Sequence, residues 1–166
     1  MEAHQIVHPT GIPGEHVLVV TPQSCGVIVE DRDELLFTLQ PRFAAQRQVI
    51  EIVKGGSEAA ELPLDSAKRE LREELGIVAR SWSEMGTMYE IPSIVAPPLI
   101  LFLAQDLEFG TPHPADEEGI TVVRFEIRAA LNAAISGEID DAVTIAALFR
   151  FAASSGYLPL RLGADP

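Results

Sequence analysis

The stretch that most constrains the fold is LDSAKRELREELGI, residues 64–77, which predicts an amphipathic helix. Placed at 100° per residue, its apolar side chains fall on one arc, and these are Leu64, Ala67, Leu71 and Leu75. Gly76 follows directly and is placed to end the helix in a left-handed conformation. We therefore expect a helix from Leu64 to Leu75 that packs one face against a sheet.

Three glutamates lie beside this apolar arc, near the helix C-terminus, where negative charge is unfavourable. They are Glu70, Glu73 and Glu74, and the i,i+4 pair of Glu70 and Glu74 repels by about 0.2–0.5 kcal/mol. Charge-rich helices are usually solvated surface helices, but local rules broken together are typical of a functional site. Carboxylates at three- and four-residue spacing offer the oxygen ligands that Mg²⁺ prefers. We interpret this face as a candidate site for a divalent cation.

The overall charge excludes some functions and favours others. A formal net charge of −13 at pH 7 argues against nucleic-acid binding, which needs clustered Lys and Arg. An anionic partner would instead need a metal ion to neutralise it. Cys25 is the only cysteine, so neither an intrachain disulfide nor a cysteine-rich zinc site is expected. Cys25 is interpreted as a small buried residue.

The sequence carries no pattern that predicts secretion or membrane insertion. The first sixteen residues lack a basic segment followed by an apolar one, so no signal peptide is expected. The most apolar stretch, SIVAPPLILFLA at residues 93–104, is too short and too interrupted by proline to span a bilayer. We expect a cytoplasmic protein with no membrane partner.

The remaining sequence predicts a mixed α/β chain in one domain at residues 17–158, with a flexible N-terminal arm at 1–16 and a C-terminal tail at 159–166. Alternating and apolar runs predict strands at residues 16–21, 25–30, 35–40, 47–53, 78–91, 98–107 and 120–127. Helical patterns follow at 128–136 and 140–156. The second of these helices would be capped by Asp140 or Asp141 and stopped by Gly156.

A longer pattern surrounds the first helix, GGSEAAELPLDSAKRELREELGI. It resembles the signature of the Nudix hydrolases, GX5EX7REUXEEXGU, in which U is an aliphatic residue. The resemblance implies an α/β fold, with a mixed β-sheet sandwiched between helices, and cleavage of the diphosphate bond in nucleoside diphosphates linked to another group. All nine defined positions are filled, by Gly55, Glu61, Arg69, Glu70, Leu71, Glu73, Glu74, Gly76 and Ile77.

The resemblance also implies roles for individual residues. Mg²⁺, with Mn²⁺ as a possible substitute, would be bound by the backbone carbonyl of Lys54 and by three catalytic acids, Glu70, Glu73 and Glu74. Structural roles would fall to Gly55, Glu61, Arg69 and Gly76, with Arg69 paired to Glu61. The catalytic base comes from the helix or from an acidic loop in relatives. In HPADEEGI, residues 113–120, Glu118 is the first choice for this base and Glu117 the second, and a solvated surface turn is the alternative.

Residues outside the signature narrow the substrate class. They resemble those of ADP-ribose and ADP-sugar pyrophosphatases, and the implied substrate-binding residues are Arg42, Glu51, Tyr89 and Pro92. Lys54 and the segment AQDL resemble instead the bacterial hydrolases of assorted ADP compounds. We expect release of AMP from a small ADP-linked molecule by a homodimer. The alternatives are a broader hydrolase acting on NADH, diadenosine polyphosphates or nucleotide sugars, and a non-catalytic nucleotide-binding module.

Overall fold

The structure is a computed structural model that describes residues 1–112 and 119–158. Two antiparallel strand pairs open the described chain, and the three helices that follow pack against a large sheet. The elements are β1 (Glu2–Val7), β2 (Pro13–Val20), β3 (Ser24–Asp31), β4 (Glu34–Arg42), β5 (Arg47–Glu51), β6 (Val53–Gly56), α1 (Pro63–Leu75), β7 (Ile77–Met88), β8 (Val95–Ala96), β9 (Leu99–Phe109), β10 (Thr121–Glu126), α2 (Ile127–Ser136) and α3 (Ala142–Ser154).

Most of the strands belong to one mixed sheet. Its central order is β10-β4-β3-β9-β7, with β5 added to β4 and β6 added to β3. The pairing of β3 with β9 is parallel, and the other pairs in this sheet are antiparallel. A smaller sheet has the order β1-β2-β8. The large sheet therefore supplies the two faces on which helices can bury their apolar sides.

Alternation along β3 divides the core between those faces. Val27 and Val29 point to the face covered by α1, where they pack with Leu71. Ile28, between them, joins the cluster on the opposite face, which includes Ala130 of α2 and Phe151 of α3. This is the two-residue period expected of a strand buried on both sides. The predicted fold of a sheet sandwiched between helices is confirmed.

Several predicted elements agree with the structure, and others differ for physical reasons. The predicted helix is α1, ended by Gly76 at φ 67°, and Asp141 rather than Asp140 caps α3. The strand predicted at 47–53 is two strands, because β5 pairs with β4 and β6 pairs with β3. Residues 1–16, predicted as a flexible arm, instead contain β1 and the start of β2. These two strands pair as a hairpin, which satisfies their backbone hydrogen bonds. In the described part of the chain, no helix has the length and apolarity needed to cross a membrane.

We expect Leu71→Ala to lower the free energy of unfolding by about 2–5 kcal/mol, because it removes a fully buried side chain and leaves a cavity under α1. Urea unfolding followed by circular dichroism measures the change. Leu62→Ala is the matched control, since Leu62 is largely exposed just before the same helix and should change the free energy by no more than about 0.5 kcal/mol. Equal losses in the two variants would contradict the assignment of this face to the core.

Candidate metal and catalytic site

The acidic end of α1 is positioned by the way the helix stops. The N–H of Gly76 donates to the carbonyls of Arg72 and Leu71, which ends the helix in the left-handed conformation. The segment after β9, at Thr111 and Pro112, also passes close to Gly76. A side chain at Gly76 would overlap the nitrogen of Pro112 and lie 2.6 Å from the carbonyl carbon of Thr111. Glycine is therefore required here both by the backbone conformation and by the close packing.

The three acids of α1 differ in their exposure to solvent. Glu74 is buried, with 6% of its surface exposed, and it sits on the edge of the face that packs on the sheet. The Glu70 side chain is mostly buried, whereas 47% of the Glu73 side chain is exposed. The helical period thus places the acids in a row that runs from the sheet out to solvent. An anionic ligand carried by a cation can approach this row from its exposed end.

Arg69 connects this row to the loop before the helix. Its Nη1 donates to Glu70 at 2.8 Å and to Glu73 at 3.0 Å. Its Nε and Nη2 both donate to Glu61 at 3.1 Å, and Nη2 also donates to the carbonyl of Gly56 at 2.8 Å. One guanidinium therefore binds two of the candidate metal ligands and two points on the loop at residues 56–61. Its planar fork of donors suits this task better than a lysine would.

The side chain of Glu70 lies against the backbone of Gly55. A Cβ at Gly55 would lie 2.5 Å from Cγ of Glu70 and would overlap its carboxylate. The Cys25 thiol donates weakly to the Gly55 carbonyl at 3.6 Å. Burial, with a further contribution from Glu70, raises the pKa of Cys25 to about 12, so this thiol is not a reactive nucleophile. The packing of Glu70 against Gly55 brings the β6 backbone next to the acids of α1.

A second group of charged side chains lies where β4, β5 and α3 meet. Arg42 donates to the Glu51 carboxylate through Nε at 2.9 Å and Nη2 at 2.6 Å, a bidentate pair. Lys54 pairs with the same carboxylate at 3.0 Å and with Asp141 at 3.0 Å. These four residues line a cavity of about 420 Å³, together with Arg47.

The chain was compared with known proteins. Residues 20–151 match the family model described as the NUDIX domain, which is most of the chain. The protein belongs to the Nudix family. It is a pyrophosphohydrolase of that family, as the signature implied.

Two pyrophosphatases and one hydrolase of known structure are similar to this chain over most of its length. It is 29% identical to the ADP-ribose pyrophosphatase of Bacillus subtilis (strain 168) over 143 residues, which is 84% of this chain and 77% of the relative. It is 30% identical to the ADP-ribose pyrophosphatase of Mycobacterium tuberculosis (strain ATCC 25618 / H37Rv) over 123 residues, 72% of this chain and 59% of that protein. The crystal structure of an ADP compounds hydrolase superposes with a TM-score of 0.82 at 18% identity, covering 94% of this chain and 87% of the other, which supports the fold.

The Nudix residues brought together here suit a hard divalent cation. Hydrolases of this family generally need a divalent metal ion. The donors at the acidic end of α1 are carboxylate oxygens, which are hard ligands, and Glu70 among them lies against the β6 backbone at Gly55. In the described residues, the side-chain positions do not gather three acidic, histidine or cysteine groups into a metal cluster. Arg69 instead binds Glu70 and Glu73, so a cation would have to replace part of that contact.

The structure brings together some of the predicted substrate-binding residues of this Nudix protein and separates others. Arg42 and Glu51 form one ion pair at the charged cavity. Tyr89 is exposed and lines a different, more apolar groove beside α3, and Pro92 is exposed in the segment before β8. Glu117 and Glu118, the predicted bases, lie outside the described residues. Sequence reasoning missed the side chain of Lys54 as a partner of Asp141, because 87 residues separate them.

We expect the Nudix loop to lose stability in acid through Glu61. Hydrogen bonds from Arg69, and then from the backbone N–H of Glu58, lower the pKa of Glu61 from its ordinary 4.5 to about 2. The unfolded state therefore takes up this proton first, and stability that is present above pH 4.5 is lost as the pH falls toward 2. Glu61→Gln should flatten this part of the pH dependence in urea unfolding experiments. Parallel pH profiles for wild type and Glu61→Gln would contradict the assignment.

Proposed function

We propose that this Nudix hydrolase cleaves the diphosphate bond of ADP-ribose or a related ADP-sugar in a Mg²⁺-dependent reaction, giving AMP and a sugar phosphate. The observation that carries the proposal is the row of carboxylates at the end of α1, with Glu70 against Gly55. In a protein with a net charge of −13, a diphosphate needs a cation at such a row to bind at all. The two ADP-ribose pyrophosphatases similar to most of this chain support the choice of substrate.

The proposed reaction is hydrolysis of the P–O–P bridge of the diphosphate. The oxygen of water bonds to one phosphorus, the bond from that phosphorus to the bridging oxygen breaks, and the bridging oxygen leaves on the other phosphate while water gives up a proton. Glu70, Glu73, Glu74 and the Lys54 carbonyl would hold the divalent cation. When bound, that cation would neutralise the diphosphate and stabilise charge on the leaving phosphate. Glu118, or Glu117 as the second choice, would accept the proton from water, and both lie outside the described residues.

Recognition of the ADP part is proposed for the charged cavity. The Arg42 side chain is 42% exposed, and its bidentate pairing with the buried Glu51 fixes the plane of the guanidinium. Two of the guanidinium nitrogens are engaged by Glu51, and the third can donate to a phosphate, ribose or adenine acceptor. Tyr89 lines a different groove, so Tyr89 and Pro92 are proposed to contact another part of the same ligand, from the segment after β7. In this proposal Arg42 binds the substrate directly and Glu51 orients it.

The test is to incubate purified protein with ADP-ribose and Mg²⁺ and to follow AMP by chromatography. We expect AMP and ribose 5-phosphate in equal amounts, with no product in EDTA. NADH, diadenosine polyphosphates and nucleotide sugars, each assayed with Mg²⁺ and Mn²⁺, show whether kcat/KM is highest for ADP-ribose. Absence of AMP from ADP-ribose under either cation would contradict the proposal, and thermal stabilisation by ADP-ribose without turnover would indicate a binding module.

We further propose a cytoplasmic homodimer. Apolar side chains are exposed on the smaller sheet and the turn between its first strands, among them Val7, Ile12, Val17 and Val20, and these could pack in a subunit interface. Light scattering coupled to size-exclusion chromatography should give twice the 18.0 kDa mass of the chain, and a mass of one chain would refute the dimer. Cell fractionation tests the location.

A further inference from the structure

Between β5 and β6 the backbone stops pairing with β4 and begins to pair with β3. Strand β5 pairs with β4 up to Glu51, and β6 pairs with β3 from Val53 onward. Ile52 lies at the change and is buried. Its N–H donates to Oγ1 of Thr144, in α3, at 3.0 Å. A side chain from a distant helix therefore satisfies the backbone at the bend that leads into the Nudix loop.

The same side chain belongs to a buried cluster that reaches Lys54. The hydroxyl of Thr144 donates to Asp141 at 2.7 Å, and the N–H of Thr144 donates to the same carboxylate at 2.9 Å, which caps α3. Nζ of Lys54 donates to that carboxylate at 3.0 Å. Thr144 is fully buried and the Lys54 side chain is 16% exposed, so water competes little for these contacts. We call these three residues the Lys54–Asp141–Thr144 cluster.

The cluster holds the chain on both sides of residue 53. It binds the backbone of Ile52 through Thr144 and the side chain of Lys54 through Asp141. On the other edge of β6, the β3 ladder pairs Lys54 with Gly26 and Gly55 with Cys25. The Lys54–Gly55 peptide is thus located between β3 and the N-terminus of α3, directly beside the Glu70 side chain. A carbonyl in this peptide can bind a cation well only if its position is set before binding.

We propose that the Lys54–Asp141–Thr144 cluster positions the Lys54–Gly55 peptide for binding of the divalent cation. The inference rests on the proposed function only in assuming that α1 and this peptide bind such a cation. Lys54, Asp141 and Thr144 are positioning residues, since their side chains act through the backbone. A purely electrostatic role for Lys54 predicts the opposite effect, because a nearby ammonium repels a cation and its removal would tighten metal binding.

The experiment measures Mn²⁺ affinity by isothermal titration calorimetry on folded, metal-free protein. Lys54→Met removes the ammonium but keeps the backbone carbonyl, and Thr144→Val removes the hydroxyl with no change of charge. We expect both variants to bind Mn²⁺ about tenfold or more weakly than wild type. Thr144→Ser keeps a hydroxyl and should bind Mn²⁺ nearly as well as wild type. If Thr144→Val does not fold, Lys54→Met alone decides the question.

Asp140→Asn is the matched control for charge at the start of α3. Asp140 is partly exposed and pairs with Arg47 instead of Lys54, so this variant should keep the wild-type Mn²⁺ affinity. Unchanged or tighter binding by Lys54→Met would overturn the inference, as would wild-type protein that binds no Mn²⁺. Weaker binding by Lys54→Met in a protein that does not cleave ADP-ribose would support the positioning role and refute only the substrate.

Discussion

Replacing Glu74 by Gln is expected to lower kcat for ADP-ribose hydrolysis by about 100-fold or more. Glu74 is the most buried of the three acids of α1, and Gln keeps its shape while removing the negative charge. A neutral amide cannot balance the charge of a divalent cation in a buried position, so the cation should bind more weakly and turnover should fall with it. Steady-state assays with saturating Mg²⁺ measure kcat, and full activity of Glu74→Gln would contradict the proposed site.

The same variant gives a second measurement that does not depend on the substrate. Millimolar Mg²⁺ should raise the thermal midpoint of the wild-type protein, because a ligand that binds only the folded state stabilises it. In Glu74→Gln this rise should be much smaller. Asp65→Asn is the control on the same helix, since Asp65 lies in its first turn with an exposed side chain and should leave both activity and the Mg²⁺ effect unchanged.

Gly55→Ala is expected to lower kcat/KM by about tenfold or more while leaving most of the stability intact. The new methyl group would occupy the space of the Glu70 carboxylate. Gly55 lies in strand β6 without a positive φ, so alanine causes no backbone strain there. The long Glu70 side chain can rotate away at small cost, but its carboxylate then leaves the row of acids. Activity should therefore fall much further than the free energy of unfolding.

The neighbouring glycine provides a close control. A Cβ at Gly56 would lie 3.8 Å from Cβ of Pro22, an ordinary van der Waals contact, and Glu70 would stay in place. Gly56→Ala should keep wild-type kcat/KM and wild-type Mn²⁺ affinity. Equal kcat/KM values for the two alanine variants would show that the Glu70 position does not matter for turnover. Urea unfolding of both proteins separates a local displacement from a general loss of structure.

The parts of the fold that could be predicted are those determined by neighbours in sequence. Helix α1 follows from the spacing of Leu71 and its apolar partners and from Gly76, and the structure confirms both. The hairpin of β3 and β4 likewise follows from two apolar runs around a polar turn. These features need only the helical and strand periods and the backbone preference of glycine. The row of acids on α1 is determined in the same way.

Other features depend on partners that no local pattern reveals. The single strand predicted at 47–53 divides at Ile52, because β4 and β3 each take one part and Thr144 takes the N–H between them. Asp141 could be proposed as a helix cap from its place before α3, but its pairing with Lys54 could not. Burial alone would raise the pKa of Asp141, and Lys54 and Thr144 outweigh this and lower it.

The sequence by itself determined the family signature, the helix that carries it and the face on which its acids lie. Helical geometry converts spacing along the chain directly into position, so nothing distant is required. Only the tertiary structure decided that Arg69 binds the Gly56 carbonyl, that Glu70 lies against Gly55, and that α3 anchors the bend before this loop. These contacts join segments that approach each other because both faces of the large sheet are buried under helices.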